Sequence, residues 1–264
     1  MTPDPAFSAV ANDYDATFTD TAVGRLQRTA VWNLLANQLG GTPSVLELNC
    51  GTGADAIWMA QHGWQVLATD ISAEMVQVAN EKIGGTGLTH KATAKVAAFA
   101  EIAQLEEGPF DLIFSNFGGL NCISPTALEE LGTVLHAKLN PGGQIIAIVM
   151  GRFCCWETLY FLLKMNPRQA FRRLRRGPTK AQLDAQTSIE TWYYSPAQFR
   201  NFFSEYGVVA IRPIGFWLPP SYLDPFFSKR PRLLRCLRFL ENHCAPGWLA
   251  GGADHFLIQL KKPD

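Results

Sequence analysis

A glycine-rich turn in the first quarter of the chain has the residue types that bind a nucleotide-like ligand. Residues 45–48, Val-Leu-Glu-Leu, are typical of a buried strand, and residues 49–53, Asn-Cys-Gly-Thr-Gly, follow them directly. Residues 54–60 then predict a helix. Glycine between a strand and a helix lets backbone N–H groups approach a ligand closely, and the helix N-terminus favours electron-rich groups. The segment therefore predicts a ligand-binding turn.

A carboxylate lies inside the strand that precedes this turn. Glu47 is flanked by apolar residues, and a buried carboxylate without a partner is unfavourable. We therefore expect Glu47 to meet a cation, directly or through water, as in a nucleoside ligand that also carries an ammonium group. The spacing Gly51-x-Gly53-x-x-Ala56 also satisfies the dinucleotide fingerprint, so the turn alone leaves two ligand classes open.

Residues 47–53 resemble the first motif of the class I S-adenosylmethionine-dependent methyltransferases. In that family an acid lies two residues before a Gly-Cys-Gly-Thr-Gly turn. Glu47 takes the acid position, Gly51 and Gly53 match, and Asn49 replaces the first glycine. Asparagine tolerates left-handed backbone angles better than most residues, so we expect the turn to keep its shape. The resemblance implies S-adenosyl-L-methionine as the cofactor and S-adenosyl-L-homocysteine as its product.

Further segments extend the resemblance along the chain. Asp70 ends a predicted second strand, where a carboxylate accepts hydrogen bonds from ribose hydroxyls in this family and in dinucleotide enzymes alike. Residues 110–116 resemble the family's fourth strand, and Pro-Gly-Gly at 141–143 precedes a predicted fifth strand. Residues 255–261 predict the family's final antiparallel strand. A dinucleotide enzyme needs neither Glu47 nor this last strand, so the combination favours the methyltransferase.

The resemblance also implies which residues touch the cofactor. Phe99 replaces the family's usual aspartate and would cover the adenine ring by stacking, while the N–H of Ala100 would donate to a ring nitrogen. Tyr14, in an Asn-Asp-Tyr-Asp segment, would close over the methionine end. The implied cofactor-binding residues are Tyr14, Glu47, Asn49, Gly51, Gly53, Asp70, Ile71, Met75, Phe99, Ala100, Ser115 and Asn116.

Few residues qualify as a general base, and positioning alone can supply much of the rate of methyl transfer. His255 begins the last strand at the active-site face, and Glu157 lies just past the fifth strand. With Tyr14 they are the catalytic candidates. The candidate substrate-binding residues are Trp156, Tyr160, Arg172 and Arg173. No metal site is expected, because the six cysteines form no C-x-x-C pair.

Strands that alternate with helices predict an α/β fold with a parallel sheet. With the resemblance, we expect a Rossmann-like methyltransferase fold: a seven-stranded, mostly parallel sheet with an antiparallel last strand and helical cap insertions. The expected organisation is a single domain over residues 1–264. It comprises an N-terminal helical lid at 1–40 and substrate-cap insertions at 151–188 and 213–252.

The formal net charge of zero conceals an asymmetry between the two halves. Residues 1–150 hold 6 Lys/Arg and 15 Asp/Glu, whereas residues 151–264 hold 17 and 8. The cap insertions place arginines beside aromatic residues, as in 168–176 and 230–238. Three interpretations stay open for these clusters: a solvated face, a lid over an acceptor bearing phosphate or carboxylate, and contact with a membrane surface.

The sequence thus predicts transfer of a methyl group from S-adenosylmethionine to a small, apolar acceptor that can be anionic. The acceptor atom and the oligomeric state cannot be read from it. The alternatives are a nicotinamide-dependent oxidoreductase and a cofactor-binding or membrane-associated module without transfer activity. A nucleic-acid partner is not expected, because Phe117-Gly118 follow Asn116 where an Asn-Pro-Pro-Tyr signature would stand. A cytoplasmic location with reduced thiols is expected.

Overall fold

Strands and helices alternate along the first 150 residues of the computed structural model, which describes residues 5–36, 41–182 and 188–263. The strands are β1 Ser44–Leu48, β2 Gln65–Asp70, β3 Ala92–Val96, β4 Phe110–Ser115, β5 Leu139–Met150, β6 Thr179–Gln182, β7 Ser188–Thr191, β8 Gly207–Ile214 and β9 His255–Lys261. The α-helices are α1 Pro5–Val10, α2 Ala22–Ala36, α3 Ala54–Gln61, α4 Ala73–Gly85, α5 Pro125–Lys138, α6 Cys155–Leu163, α7 Pro167–Ala170, α8 Pro196–Phe202, α9 Asp224–Phe227 and α10 Pro231–His243.

Short helices of other types join these elements. A single π-helical turn spans Asp15–Thr19. Turns of 3-10 helix span Phe99–Gln104, Gly119–Cys122, Arg172–Leu174, Ser221–Leu223 and Gly247–Gly252.

Seven strands form one sheet in the order β3-β2-β1-β4-β5-β9-β8. The pairs among the first five strands in this order are parallel, whereas β9 pairs antiparallel with both β5 and β8. The predicted mostly parallel sheet with an antiparallel last strand is therefore confirmed. Because the order reverses between β1 and β4, the carboxyl ends of these two strands open a crevice where ligands bind in such sheets.

Apolar side chains cover both faces of the sheet. On one face, Leu128 and Leu135 of α5 and Phe199 of α8 pack against buried strand residues. On the other, Met59 of α3 and Val76 of α4 are fully or almost fully buried. A smaller apolar cluster joins α2, α9 and α10 through Val23, Phe227 and Leu234, so the second insertion packs on the N-terminal helix.

Three details differ from the sequence predictions. Residues 141–143, predicted to precede the fifth strand, lie within β5, where its pairing with β4 is irregular. An antiparallel strand pair, β6–β7, at the end of the first insertion was not predicted, because its strands are only four residues long. The predicted helical lid at 1–40 is not one continuous helix over its described residues 5–36, because a π-helical turn lies between α1 and α2.

None of the described helices is both long enough and apolar enough to cross a membrane.

Gly53 provides a test of how the turn is built. Its φ is +77°, and a Cβ there would lie 2.9 Å from the Cβ of Ala79 on α4. We expect Gly53→Ala to lower the free energy of unfolding by about 1–3 kcal/mol, because it adds backbone strain and overpacking. Urea unfolding followed by circular dichroism would measure the change.

Gly84→Ala is the matched control, because Gly84 lies in α4 with nothing within 4 Å of its would-be Cβ. This change should be neutral or raise stability by up to about 1 kcal/mol. Equal losses in the two variants would contradict the packing argument.

Candidate functional site

A cavity of about 710 Å³ opens at the carboxyl ends of the parallel strands, within the range of ~300–1,000 Å³ typical of small-molecule sites. At least five parts of the chain contribute to its walls. The N-terminal segment contributes Tyr14, the glycine-rich turn contributes Gly51, and β2 contributes Asp70. The two insertions contribute Arg172 and Tyr222. One continuous space therefore joins the predicted cofactor turn to the predicted cap.

Asn49 shapes the turn and ties it to the neighbouring strand. Its φ of +47° lies in the left-handed region, as the sequence predicted for a residue replacing glycine. Its Nδ2 donates to the backbone oxygen of Asn116 at 2.8 Å, and its Oδ1 accepts from the Ser115 hydroxyl at 2.6 Å. A glycine could make neither hydrogen bond, so Asn49 adds a cross-link between the ends of β1 and β4.

The carboxylate of Asp70 is fixed at the cavity wall by backbone donors. Oδ2 accepts from the N–H of Gly51 at 2.9 Å, and Oδ1 accepts from the N–H of Ser72 at 3.0 Å. Burial raises the pKa of Asp70, and the N–H bonds from Ser72 and Gly51 oppose this rise only in part. Each carboxylate oxygen has a second lone pair, so Asp70 can still accept hydrogen bonds from two hydroxyl groups of a ligand.

Apolar residues border the space beside Asp70. Ile71, Met75 and Phe99 all line the cavity, together with the buried Ala97. Ala100 is exposed and does not line it, so the predicted direct contact of Ala100 with the adenine is not supported. These side chains offer flat, apolar contacts of the kind that a nucleobase accepts.

Three further residues of the predicted cofactor set lie behind the cavity wall. Gly53 faces α4, and the hydroxyl of Ser115 serves Asn49. Glu47 is 1% exposed, and within the described residues its Oε2 has no hydrogen-bond partner. Burial, with a contribution from Asp55, holds the pKa of Glu47 well above its usual value. No described lysine or arginine forms an ion pair with Glu47, so its predicted contact with a cation of the ligand stays a prediction.

A buried ion pair that the sequence analysis missed lies beside the turn. Asp55, in the first turn of α3, pairs with Arg28 of α2 and accepts from Trp32 Nε1 at 2.6 Å and from Asn116 Nδ2 at 3.0 Å. Although burial opposes its charge, Asp55 raises the pKa of Arg28 overall. Arg28 also stacks over Phe117 at 5.1 Å from the ring centre.

Arg28, Asp55 and Asn116 all line the cavity, so its wall holds a carboxylate at Asp55 and not at Glu47. The only local signal in the sequence was an acid at the start of the helix after the turn. Its partner lies 27 residues earlier in the chain, which local patterns do not indicate.

The N-terminal segment is anchored over the glycine-rich turn. Asp15 accepts from the hydroxyl of Thr52 and from the ammonium of Lys82, both at 2.6 Å. Next to it, Tyr14 lines the cavity, and burial raises the pKa of its hydroxyl. Tyr14 is therefore a neutral hydroxyl at the cavity wall, which suits a positioning role better than that of a base.

Glu157 is excluded as a free general base by its ion pairs. It is 1% exposed, and both its oxygens accept from Arg172, through Nε at 2.7 Å and Nη2 at 3.0 Å. Oε2 also accepts from Nη2 of Arg173 at 2.9 Å. Glu157 does not line the cavity, so the structure does not support its predicted catalytic role. Its carboxylate instead holds two arginines in place.

Arg173 lines the cavity and is also a buried structural junction. Besides Glu157, it donates to Oδ1 of Asp254 at 2.6 Å, to the backbone oxygen of Asp254 at 2.9 Å and to that of Gly151 at 3.3 Å. With these bonds every N–H group of the guanidinium has an acceptor in the chain. Arg173 therefore joins the first insertion to the ends of β5 and β9.

His255 lines the cavity, as predicted for the start of the last strand. Its Nδ1 lies 3.3 Å from Oδ2 of Asp254, and its ring meets the edge of Phe117 at 5.3 Å. Burial acts to raise the pKa of Asp254, but His255 and Arg173 hold it well below its usual value. A carboxylate whose charged form is favoured thus faces an imidazole on the cavity wall.

Two of the predicted substrate-binding residues are used elsewhere. Neither Trp156 nor Tyr160 lines the cavity. Trp156 donates from Nε1 to the backbone oxygen of Phe216 at 3.0 Å, so it joins the two insertions. The insertions and the segment just after the first of them reach the cavity through residues that the sequence analysis did not select, namely Ala181, Ile189, Thr191, Tyr193, Pro220, Ser221 and Tyr222.

Removing the Arg173 junction should destabilise the protein. We expect Arg173→Met to lower the free energy of unfolding by about 3–5 kcal/mol, because Glu157 and Asp254 would keep buried charges with fewer partners. Arg175→Met, at an exposed position, should change it by no more than about 0.5 kcal/mol. Denaturant unfolding measures both, and a loss of less than 1 kcal/mol in Arg173→Met would show that the junction is not structural.

The comparisons with known proteins agree with this arrangement. Residues 45–143 match a family model described as a methyltransferase domain. Demethylmenaquinone methyltransferase of Clavibacter sepedonicus is 32% identical over 53% of this chain and 54% of its own length. The Mycolicibacterium vanbaalenii protein of the same name is 26% identical over 78% of this chain and 90% of its own. Other matched relatives are named for methylation of tRNA, of a ribosomal protein and of malonyl-acyl carrier protein.

Similarity to solved structures extends over nearly the whole chain. The structure of the CcbJ methyltransferase from Streptomyces caelestis superposes with a TM-score of 0.64 at 14% identity, covering 98% of each chain. At that identity the likeness concerns the fold. Among the curated relatives that match first, the chain spans between 21% and 54% of their own length.

Proposed function

Because the chain belongs to the class I S-adenosylmethionine-dependent methyltransferases, we propose that it transfers a methyl group from S-adenosylmethionine to a small apolar molecule with a protic group. The observation that carries this proposal is the continuity of the cavity. One space runs from Gly51 and Asp70 at the cofactor end to Tyr193, Tyr222 and His255 at the cap end. Cofactor and acceptor can therefore meet without a change of fold.

The residues at the first end of the cavity fit S-adenosylmethionine. The Asp70 carboxylate accepts from the ribose hydroxyls, and Ile71, Met75 and Phe99 enclose the adenine ring. The methionine end would lie against polar groups that include the Asp55 carboxylate, which lines the cavity beside the turn. Glu47 supports the turn from behind in this proposal, and Asp55 takes the ammonium contact that the sequence had suggested for Glu47.

The residues at the second end favour an apolar acceptor with aromatic or planar character. Phe117, Met150, Ile189, Tyr193 and Tyr222 contribute apolar surface there. Aromatic side chains stack on flat rings at low entropic cost. Arg172 uses Nε and Nη2 on Glu157, so its Nη1 is the part of the guanidinium left for an anionic group on the acceptor.

The relatives named for demethylmenaquinone support an apolar ring as the acceptor, since that name describes a quinone-type substrate. Relatives named for RNA methylation leave a second acceptor class to be tested. The acceptor end of the cavity is walled by two insertions and is mainly apolar, which favours a small molecule over a polynucleotide.

Residues of the chain can remove the proton that the acceptor loses during methyl transfer. When bound, S-adenosylmethionine supplies an electrophilic methyl group. His255 accepts the proton that an acceptor hydroxyl or amine loses, and the ionised Asp254 stabilises the imidazolium that results. Arg173 is a positioning residue, because its bonds to Asp254 hold that carboxylate beside His255. The apolar walls exclude water from the methyl group.

Three segments act together as covers in this proposal. The N-terminal lid at 1–40, of which 5–36 are described, closes the cofactor end through Tyr14 and Asp15. The insertions at 151–188 and 213–252 cover the acceptor end, with 183–187 outside the described residues. The division of a single 1–264 domain into these parts is supported by their shared contribution to the cavity lining.

The acceptor class can be tested by direct screening. Release of S-adenosylhomocysteine should be measured with reduced quinones, phenols, aromatic carboxylic acids and unmodified tRNA as acceptors. The proposal expects turnover with at least one apolar ring compound. Turnover with tRNA alone would overturn it.

With an acceptor in hand, His255→Gln should lower kcat by about 100-fold or more, because the base is lost from the transition state. Affinity for S-adenosylhomocysteine, measured by calorimetry, should stay within about threefold of the wild type. His243→Gln is the control, because His243 lies exposed on α10. A normal kcat in His255→Gln would remove the base from the mechanism.

A further inference from the structure

The outer face of α6 is apolar where a surface helix is normally polar. Its exposed residues are Cys155, Leu159, Leu162 and Leu163, and none carries a charge. The one charged residue of the helix, Glu157, points inward to Arg172 and Arg173. The usual distribution, with apolar residues inside and charged ones outside, is thus reversed on this helix.

The apolar surface continues past the end of the helix. We call Leu159, Leu162, Leu163 and Met165 the ridge; these side chains are between 42% and 88% exposed. Met165 follows the helix with a φ of +55°, at a place where glycine or asparagine is usual. A large apolar side chain is therefore held out to solvent in a strained backbone conformation, which indicates a function for its exposure.

The charged groups around the ridge all have one sign. Between residues 155 and 176 the exposed charged side chains are Lys164, Arg168, Arg175 and Arg176. None of these four forms an ion pair with a described residue. On α10, Arg232, Arg235 and Arg238 are likewise exposed, while the acid of that helix, Glu241, is buried. Exposed apolar side chains, with cations that form no described ion pair in the same segment of the chain, match a surface that is apolar below and anionic above.

From this combination we propose that the ridge docks the protein on an anionic lipid bilayer. Leucine and methionine side chains enter the boundary between headgroups and acyl chains, and lysine and arginine bind the anionic headgroups. A second copy of the chain is a poorer occupant, because an isologous contact would bring the same cations face to face.

The ridge is connected to the cavity by aromatic side chains. The rings of Tyr160 and Phe161 on α6 lie 5.9 and 6.3 Å from the ring of Tyr222, which lines the cavity. An apolar molecule dissolved in the bilayer would thus meet an aromatic path to the acceptor end. This link to the acceptor rests on the proposed function, whereas bilayer docking rests on the ridge and its cations alone.

Co-sedimentation with vesicles tests the docking without any turnover. The full chain should bind vesicles of phosphatidylcholine mixed with phosphatidylglycerol and should bind pure phosphatidylcholine far more weakly. Replacing Leu162, Leu163 and Met165 together by Ser should weaken binding to the mixed vesicles about tenfold or more. Replacing Val208, Val209 and Trp248 by Ser is the control, because these apolar residues are exposed elsewhere. It should leave binding unchanged.

The contribution of the cations to vesicle binding is tested by a second pair of variants. Arg175→Gln with Arg176→Gln should weaken binding about tenfold, whereas Arg200→Gln with Lys261→Gln, also exposed, should not. Calorimetry with S-adenosylhomocysteine checks that each variant still binds the cofactor product. If the wild type does not bind S-adenosylhomocysteine, the proposed function is wrong, whereas the vesicle experiment still tests the docking.

Three outcomes would overturn the docking proposal. They are the absence of binding to mixed vesicles, equal losses in the ridge and control variants, and a change of oligomeric state in the ridge variant by sedimentation velocity. A fourth outcome concerns tRNA. If the protein binds tRNA more tightly than vesicles at the same salt concentration, and the ridge variant loses that binding, the partner of the ridge is RNA and not a bilayer.

Discussion

A single buried guanidinium connects the parts of this protein that must act together. Arg173 comes from the first insertion, yet its hydrogen bonds go to Glu157 on α6, to the end of β5 and to Asp254 at the start of β9. Buried charges are tolerated only when they are paired and fully hydrogen-bonded, so this arrangement has little freedom to shift. The position of the cap over the sheet and that of Asp254 beside His255 follow from the same side chain.

The second constraint is the turn after β1. The left-handed backbone at Asn49 and the hydrogen bond from Gly51 to Asp70 bring the ends of β1, β2 and β4 to one wall. Asp55 then fixes α2 to the same wall through Arg28. The acidic half of the chain thus builds the cofactor end, and the basic half closes the acceptor end. The opposite net charges of the two halves thus match the two ends of the cavity that they form.

Local sequence patterns were sufficient for the sheet and for much of the cofactor end. The apolar runs, the glycine turn and Asp70 each depend on neighbours within a few residues, and all were placed correctly. The resemblance supplied the direction of the last strand. The ion pairs could not be predicted in this way, because Arg173 and Asp254 are 81 residues apart and Arg28 and Asp55 are 27 apart. The contacts by which Glu157 and Arg173 stabilise the cap were therefore not predicted. Glu47 was predicted to contact a ligand, because the sequence shows no nearby cation that could pair with a carboxylate inside a strand.

The central claim is that S-adenosylmethionine binds between the glycine-rich turn and Asp70. Isothermal titration calorimetry with S-adenosylhomocysteine tests it most directly, with NAD as the competing ligand and Asp70→Ala as the variant. We expect the wild type to bind S-adenosylhomocysteine and not NAD, and the folded variant to bind it about 30-fold more weakly or worse, because two hydrogen bonds to a charged acceptor are lost. Binding of NAD in place of S-adenosylhomocysteine, or equal affinity in the folded Asp70→Ala variant, would contradict the account.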